Sequence, residues 1–229
     1  MNPCTIPTPS EDLQGDGRWM SQHNRYLEET KDKEPDILFI GDSIMSHLQL
    51  RPIWNDLFEP LHALNFGISG DCVQHVLWRL QNGALDNIKP KVVIVHVGTN
   101  NITNTSEEIS EGIIKVMNTI RERFPDTYIV LTELLPRGQY PNPLREKNAA
   151  VNKLLRSRAS GLPKVEIVST DKGLIQQDGT ISHHDMPDYL HLSDAGYRKS
   201  FEALHELILQ LLTDEEEVII TPPNLTPTE

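Results

Sequence analysis

Apolar residues fall in short runs separated by longer segments with helical spacing. Ile37-Leu38-Phe39-Ile40 runs into Gly41-Asp42-Ser43, and a short apolar run bounded by glycine reads as a buried strand. The same reading predicts strands at 36–41, 61–66, 91–97, 128–132 and 165–168. The third is the strongest, because Lys91-Val92-Val93-Ile94-Val95-His96-Val97 is dominated by β-branched residues. Between the strands lie helical patterns. The first covers 17–34, with Trp19, Met20, Tyr26 and Leu27 as a sparse stripe ended by Pro35. A second runs from Ser43 to about residue 58 with Pro52 inside it, and a third spans 72–84 on Val73, Val76, Leu77 and Leu80. Thr105-Ser106-Glu107-Glu108 opens a fourth with capping residues and early acids, its buried face being Ile109, Ile113, Val116, Met117 and Ile120. A fifth covers 144–159, and a strongly amphipathic sixth covers about 193–212. Strand and helix alternate five times, which predicts an α/β fold of three layers, a five-stranded parallel sheet with helices on both faces.

This gives one domain over 17–212. Residues 1–16, with Pro3, Pro7 and Pro9 among polar neighbours, are expected to form a flexible extended arm. Residues 213–229, acidic from Asp214 and then Pro-rich at Thr221-Pro222-Pro223, are expected to be a disordered tail.

Composition narrows the class. With 229 residues, 38% hydrophobic and 24% charged, the chain suits a globular domain. A net charge of -12 argues against nucleic acid as a partner. No run approaches the ~18 apolar residues of a membrane span. Cys4 and Cys72, the two cysteines, make no disulfide framework, and Met1-Asn2-Pro3-Cys4 does not open a signal peptide. A cytoplasmic location is the expectation.

The chemistry lies at strand ends. In a parallel sheet all carboxyl ends share one edge, where ligands bind. Ser43 follows strand one, Gly70 follows strand two and Asn100 follows strand three. The long loop at 171–190 leads into the last helix at that edge and carries Asp188-Tyr189-Leu190-His191. These residues fit acyl transfer. Ser43 is the attacking hydroxyl, His191 the general base, and Asp188, three residues earlier, the carboxylate that fixes the imidazole tautomer. The Ser43 and Gly70 amides and the Asn100 side chain are candidate oxyanion donors. Asn101 is expected to point elsewhere, and Ile44, Thr99 and Leu190 adjoin these positions as candidate walls of an acyl pocket.

Gly41-Asp42-Ser43, Gly70, Gly98-Thr99-Asn100 and Asp188-x-x-His191 resemble the four blocks of the SGNH (GDSL-like) hydrolase superfamily. Within it, Gln14-Gly15-Asp16-Gly17-Arg18-Trp19-Met20, Pro60-Leu61-His62-Ala63-Leu64-Asn65-Phe66-Gly67, His75-Val76-Leu77-Trp78-Arg79-Leu80, Leu135-Pro136-Arg137-Gly138 and Ser182-His183-His184-Asp185-Met186 resemble the catalytic α subunits of intracellular platelet-activating-factor acetylhydrolase type Ib. The resemblance implies a flavodoxin-like sheet and hydrolysis of the acetyl ester of platelet-activating factor, a short-acyl phospholipid. It implies no cofactor, an α-subunit homodimer or heterodimer, and a lissencephaly-type β-propeller regulatory subunit as partner. Ser69 and His96 stand where the family usually has Gly and Trp.

Other readings exist for the same residues. Ser43 alone would be an ordinary helix cap, Asn100 a turn residue and Gly70 a plain turn glycine. Such subunits can also persist as catalytically weak dimeric scaffolds for the propeller. His183, His184, Asp185, Asp188 and His191 fall within nine residues and could suggest a metal-dependent hydrolase, but the strand ends offer Ser, Gly and Asn rather than ligands, so no metal is expected. His96, on an apolar strand, reads as a satisfied core histidine.

Overall fold

The computed structural model describes residues 1–220, with side-chain surroundings through residue 214. Five parallel strands form one sheet: β1 (Ile37–Gly41), β2 (Ala63–Gly67), β3 (Val92–His96), β4 (Tyr128–Thr132) and β5 (Val165–Val168). Their order is β2-β1-β3-β4-β5. The chain leaves β1 for β2 on one side and returns to β3 on the other. The order therefore reverses between β1 and β3, and a crevice opens there at the carboxyl ends. Gly41 pairs with both Gly67 and His96, so the three strands end level and their following loops start together.

Side chains along each strand alternate between two cores. Leu38, Ile40, Val93, Val95, Ile129 and Leu131 face one layer of helices. That layer holds α1 (Arg18–Asp32), α3 (Val73–Arg79), α4 (Ser106–Arg123) and α5 (Pro143–Ala159). Ile37, Phe39, Val92, Ile94 and Val130 face the other, formed by α2 (Ser43–Leu48) and α6 (Asp194–Ile220). Both faces of the central strands are buried, which is why they read as continuous apolar runs rather than alternating ones.

Several expected boundaries shift for local reasons. The helical pattern beginning at Ser43 breaks after Leu48 and resumes as a wide turn at Trp54–Phe58, because Pro52 lacks the N–H a continuous helix needs. The helix from residue 72 likewise loosens into a turn at Leu80–Ala84, where Gly83 takes φ 100°. α6 extends past the expected end at 212 to Ile220, since the acids that suggested a tail are good helix formers. The remaining Pro-rich stretch, 221–229, lies outside the described residues.

The amino-terminal residues correct the expectation of a free arm. Pro3–Thr5 form a short 3₁₀ turn, and Cys4 is fully buried between α3 and α4. Asn2 Oδ1 accepts from the Cys4 amide at 2.9 Å, while its Nδ2 donates to the Glu108 carbonyl at 2.9 Å. Lys115 Nζ holds the Thr5 carbonyl at 2.9 Å, and the Thr8 amide donates to the Gln74 carbonyl at 3.1 Å. Prolines suggest extension, but a proline at the first position of a helical turn is also pre-set for it.

Candidate active site

Ser43 is the first residue of α2, directly after β1. Asp42 caps that helix, its Oδ1 accepting from the Ile44 amide at 2.9 Å. The crowding behind the nucleophile explains Gly41: a Cβ there would lie 2.0 Å from the His96 carbonyl oxygen of β3. His191 reaches the same point from the loop before α6. Its Nε2 lies 2.9 Å from Ser43 Oγ, and its Nδ1 lies 2.6 Å from Asp188 Oδ2. Asp188 Oδ1 accepts from the amides of Leu190 at 3.0 Å and His191 at 2.7 Å. Tyr189, between them, adopts φ 59°, a left-handed conformation uncommon outside glycine that folds both amides back onto the carboxylate. Burial acts to raise the Asp188 carboxyl, but the His191 ring and the two backbone donors outweigh it and hold its pKa at about 2. Ser43, His191 and Asp188 are thus brought together in the order a serine hydrolase requires: hydroxyl, imidazole, carboxylate.

The oxyanion candidates gather from three loops. The Ser43 N–H opens α2, where the first-turn amides have no acceptor within the helix. Gly70 occupies the third position of a β-turn closed by the Asp71 amide on the Ile68 carbonyl at 3.2 Å, and its φ of 86° is the left-handed conformation a type II turn requires there. Asn100 donates through Nδ2 to the Asp71 carbonyl at 3.0 Å, and a primary amide has a second N–H to offer. Asp71 therefore links the loop after β2 to the loop after β3.

Asp71 is itself held. Its Oδ2 takes Arg79 Nε at 2.9 Å and Nη2 at 2.7 Å, and its Oδ1 takes Trp19 Nε1 at 2.6 Å. Both charged side chains are wholly buried. Burial pushes the Asp71 carboxyl upward, opposed by the Arg79 guanidinium and the Trp19 indole. Arg79 also caps two strand ends, donating to the carbonyls of Phe66 at 2.6 Å and Gly41 at 3.1 Å.

The acyl-pocket candidates differ among themselves. Ile44 is 1% exposed within the core under α2, so it backs the nucleophile from inside. The Thr99 hydroxyl is turned inward, accepting from Arg137 at 3.1 Å and Asn148 at 3.2 Å. Leu190 alone of the three keeps a partly exposed surface. Asn101 does point elsewhere, into a buried cluster below the loop. The histidine-rich loop is divided into separate pairs: His184 with Asp185, Asp185 with Lys199, and His191 with Asp188. Among the described residues no group of three or more His, Cys, Asp or Glu side chains is arranged to hold a metal. His96 is buried, with Nδ1 2.8 Å from Thr132 Oγ1, the satisfied core histidine expected of it, and burial lowers its pKa to about 4. Burial, with Asp71 and Asp42 nearby, pushes the Cys72 thiol up to about 11, so its place at a helix start does not activate it. Asp42 is raised to about 7, chiefly by burial. Its Oδ2 has no hydrogen-bond partner.

The fold and this constellation agree with what the chain is similar to. Residues 39–199 match the model of the GDSL-like Lipase/Acylhydrolase family. The chain belongs to that family. The platelet-activating factor acetylhydrolase IB subunit alpha2 of Bos taurus is 56% identical over 216 residues, covering 94% of this chain and 94% of that one. The alpha1 subunit of the same organism is 54% identical over 215 residues, covering 94% and 93%. A solved GDSL-like lipase from Bacteroides thetaiotaomicron superposes with a TM-score of 0.68 over 84% of this chain and 98% of its own, and at 18% identity that likeness speaks for the fold. The family block Gly-Asp-Ser here places the serine at the head of α2 and its aspartate as the cap beneath it. Sequence reasoning did not find Asp71, Arg79 and Trp19 as one unit. Their separation along the chain hides it, and the one available signal is an arginine inside an otherwise apolar helical stripe.

Proposed function

We propose that the protein is a serine esterase that removes short acyl groups, the acetyl ester of platelet-activating factor being the substrate class. The observation that carries this reading is the continuous chain Ser43 Oγ, His191 Nε2, His191 Nδ1, Asp188 Oδ2, at 2.9 Å and 2.6 Å. Ser43 Oγ attacks the ester carbonyl carbon while His191 Nε2 takes its proton. Asp188, ionised at neutral pH with its pKa near 2, keeps the ring proton on Nδ1 and stabilises the imidazolium. The oxyanion is received by the Ser43 and Gly70 amides and the Asn100 side chain. The tetrahedral adduct collapses, His191 protonates the departing alcohol, and water repeats the sequence on the acyl-enzyme to release the acid. Leu190, which alone of the three acyl-pocket candidates keeps exposed surface, limits the acyl group to a short one, with Ile44 and Thr99 packed behind the site, and no cofactor takes part.

The relatives named as subunits support assembly, and we extend the reading to a dimer in the cytoplasm that also binds a β-propeller regulatory subunit. A cleft of about 510 Å³ beside α1, lined by Trp19, Arg25, Leu13 and Leu50, supports this face as the contact, since Leu13 and Leu50 are exposed there. Among the described residues no helix is long and apolar enough to cross a membrane. A panel of p-nitrophenyl esters of graded acyl length tests the reading. Acetyl esters are expected to turn over fastest, with Ser43→Ala reduced to background. Equal rates on long-chain esters would contradict the acyl limit, and turnover retained by Ser43→Ala would contradict the mechanism.

A further inference from the structure

Every buried charge calls for an explanation, since an unpaired one is costly and even a paired one must offset its lost hydration. The Asp71–Arg79 pair is the most enclosed in the molecule's described part, with both side chains at 0% exposure, and the mechanism above does not use it. Its contacts share one destination. Arg79 holds the carboxyl ends of β1 and β2 through the carbonyls of Gly41, the last residue of β1, and Phe66, the last but one of β2, two residues before Ser43 and four before Gly70. Asp71, anchored by Arg79 and Trp19, follows Gly70 directly, closes its turn through the backbone amide and receives the Asn100 side chain on its carbonyl. A packed apolar side chain could fill the same volume, but it could not fix four backbone and side-chain groups from three loops at once.

We infer that Asp71, clamped by Arg79 and Trp19, is the positioning residue of the oxyanion site: it sets the Gly70 amide and the Asn100 side chain relative to Ser43. The inference rests on the esterase reading and adds to it a residue that touches neither substrate nor nucleophile. Its carboxylate accepts hydrogen bonds from Arg79 Nε and Trp19 Nε1 and pairs ionically with Arg79 Nη2. In Asp71→Asn one of the two ends becomes an NH₂, which must face a donor it cannot accept from. The turn is then free to drift, and misplaced donors weaken transition-state binding more than substrate binding.

The test compares wild type, Asp71→Asn, Asn100→Ala and the double variant on p-nitrophenyl acetate, with an unfolding midpoint for each. Asp71→Asn is expected to lower kcat at least tenfold with KM within twofold. In the Asn100→Ala background the same change is expected to cost less than threefold, because one of the two groups it positions is gone and only the Gly70 amide remains to be misplaced. A folded Asp71→Asn with unchanged kcat, a rise in KM alone, or losses that multiply in the double variant would overturn the inference, and lowered stability alone counts as a merely structural role. Should Asp71→Asn not fold, Trp19→Phe removes one hydrogen bond and keeps an aromatic, though smaller, ring. A kcat loss of at least threefold that shrinks in the Asn100→Ala background supports the inference, and an unchanged kcat overturns it. Wild-type turnover that Ser43→Ala abolishes, beside an indifferent Asp71→Asn, sinks the positioning claim alone. Absence of ester turnover in wild type sinks the esterase reading and the inference with it.

Discussion

Replacing Asn101 by alanine removes a side chain that is 2% exposed and joined to four others. Its Oδ1 accepts from the Val73 amide at 3.0 Å, supplying an acceptor to the first residue of α3. Its Nδ2 reaches Gln74 Oε1 at 2.9 Å, Asn104 Oδ1 at 3.2 Å and Cys4 Sγ at 3.4 Å. The buried Val73 amide would lose its partner, at a cost of roughly 1–3 kcal/mol. Of the other contacts, the buried one to Cys4 Sγ has a weak acceptor, and the two part-buried ones to Gln74 and Asn104 add about 1 kcal/mol together, at the low end of ~0.5–1.5 kcal/mol for each ordinary hydrogen bond. A total of about 2–4 kcal/mol corresponds to a fall of roughly 5–15 °C in the unfolding midpoint of a chain this long. Asn100→Ala is the matched control. Asn100 is half-buried and gives one hydrogen bond to the Asp71 carbonyl, so its loss should move the midpoint little while lowering kcat by ~10²–10³ with KM nearly unchanged. Differential scanning fluorimetry and steady-state kinetics on the two variants separate the roles. An Asn101 variant of normal stability, or an Asn100 variant of normal kcat, would refute the assignment of these neighbours to scaffold and site.

Three further perturbations follow from packing, titration and assembly. At Gly112 an added Cβ would lie 2.7 Å from both the Cβ and the carbonyl oxygen of Cys4 and 2.8 Å from Val73 Cγ1. Gly112→Ala should therefore cost about 1–3 kcal/mol and expose Cys4 to thiol reagents, whereas an unchanged labelling rate would mean the amino-terminal turn is not docked. His96, buried and lowered to about 4, binds its proton less readily than an unfolded histidine near ~6.5. Its contribution to stability is complete above pH ~6.5 and is lost as pH falls toward 4, by about 3 kcal/mol in all. Asp42, raised to about 7, acts oppositely, its contribution fading as pH rises from its unfolded value of 3.8 through 7. Chemical denaturation of wild type against His96→Phe between pH 7 and 4 isolates the histidine, and a difference that stays constant across that range would contradict its burial as a neutral base. Light scattering at micromolar concentration should return a dimer, and a clean monomer would count against the α1 face as a contact.

The layered fold was legible because each of its signals is local. β-branched runs, helical stripes and capping residues state their element within a dozen residues, and β4 and β5 fall at their expected positions. Ser43, His191 and Asp188 were legible through a topological argument beside the family resemblance: parallel strands share a carboxyl edge, Ser43 follows β1 there, and the loop between β5 and α6 carries Asp188 and His191 back to it. What stayed hidden depends on contacts between distant segments. Cys4 reads as part of an extended proline-bearing arm until the close approach permitted by Gly112 gives it a place. Asn101 reads only as the neighbour of Asn100 that points elsewhere until four partners converge on it. Arg79 shows in the sequence only as a charge among the apolar residues of α3, and it lies wholly inside because Asp71 and two strand-end carbonyls supply its acceptors. Ile44 adjoins the nucleophile in sequence, but the helix turn directs it into the core.

The central claim is that Ser43 is a nucleophile activated by His191, and covalent capture tests it most directly. A fluorophosphonate carries an electrophilic phosphorus whose fluoride is displaced by an activated serine, leaving a stable ester on that oxygen. Intact-mass measurement followed by peptide mapping should find one adduct per chain, located on Ser43, absent in Ser43→Ala and formed at least ~10²-fold more slowly in His191→Gln, in line with the contribution of a general base. No adduct, an adduct on another residue with Ser43 unmodified, or labelling indifferent to the loss of His191 would contradict the account.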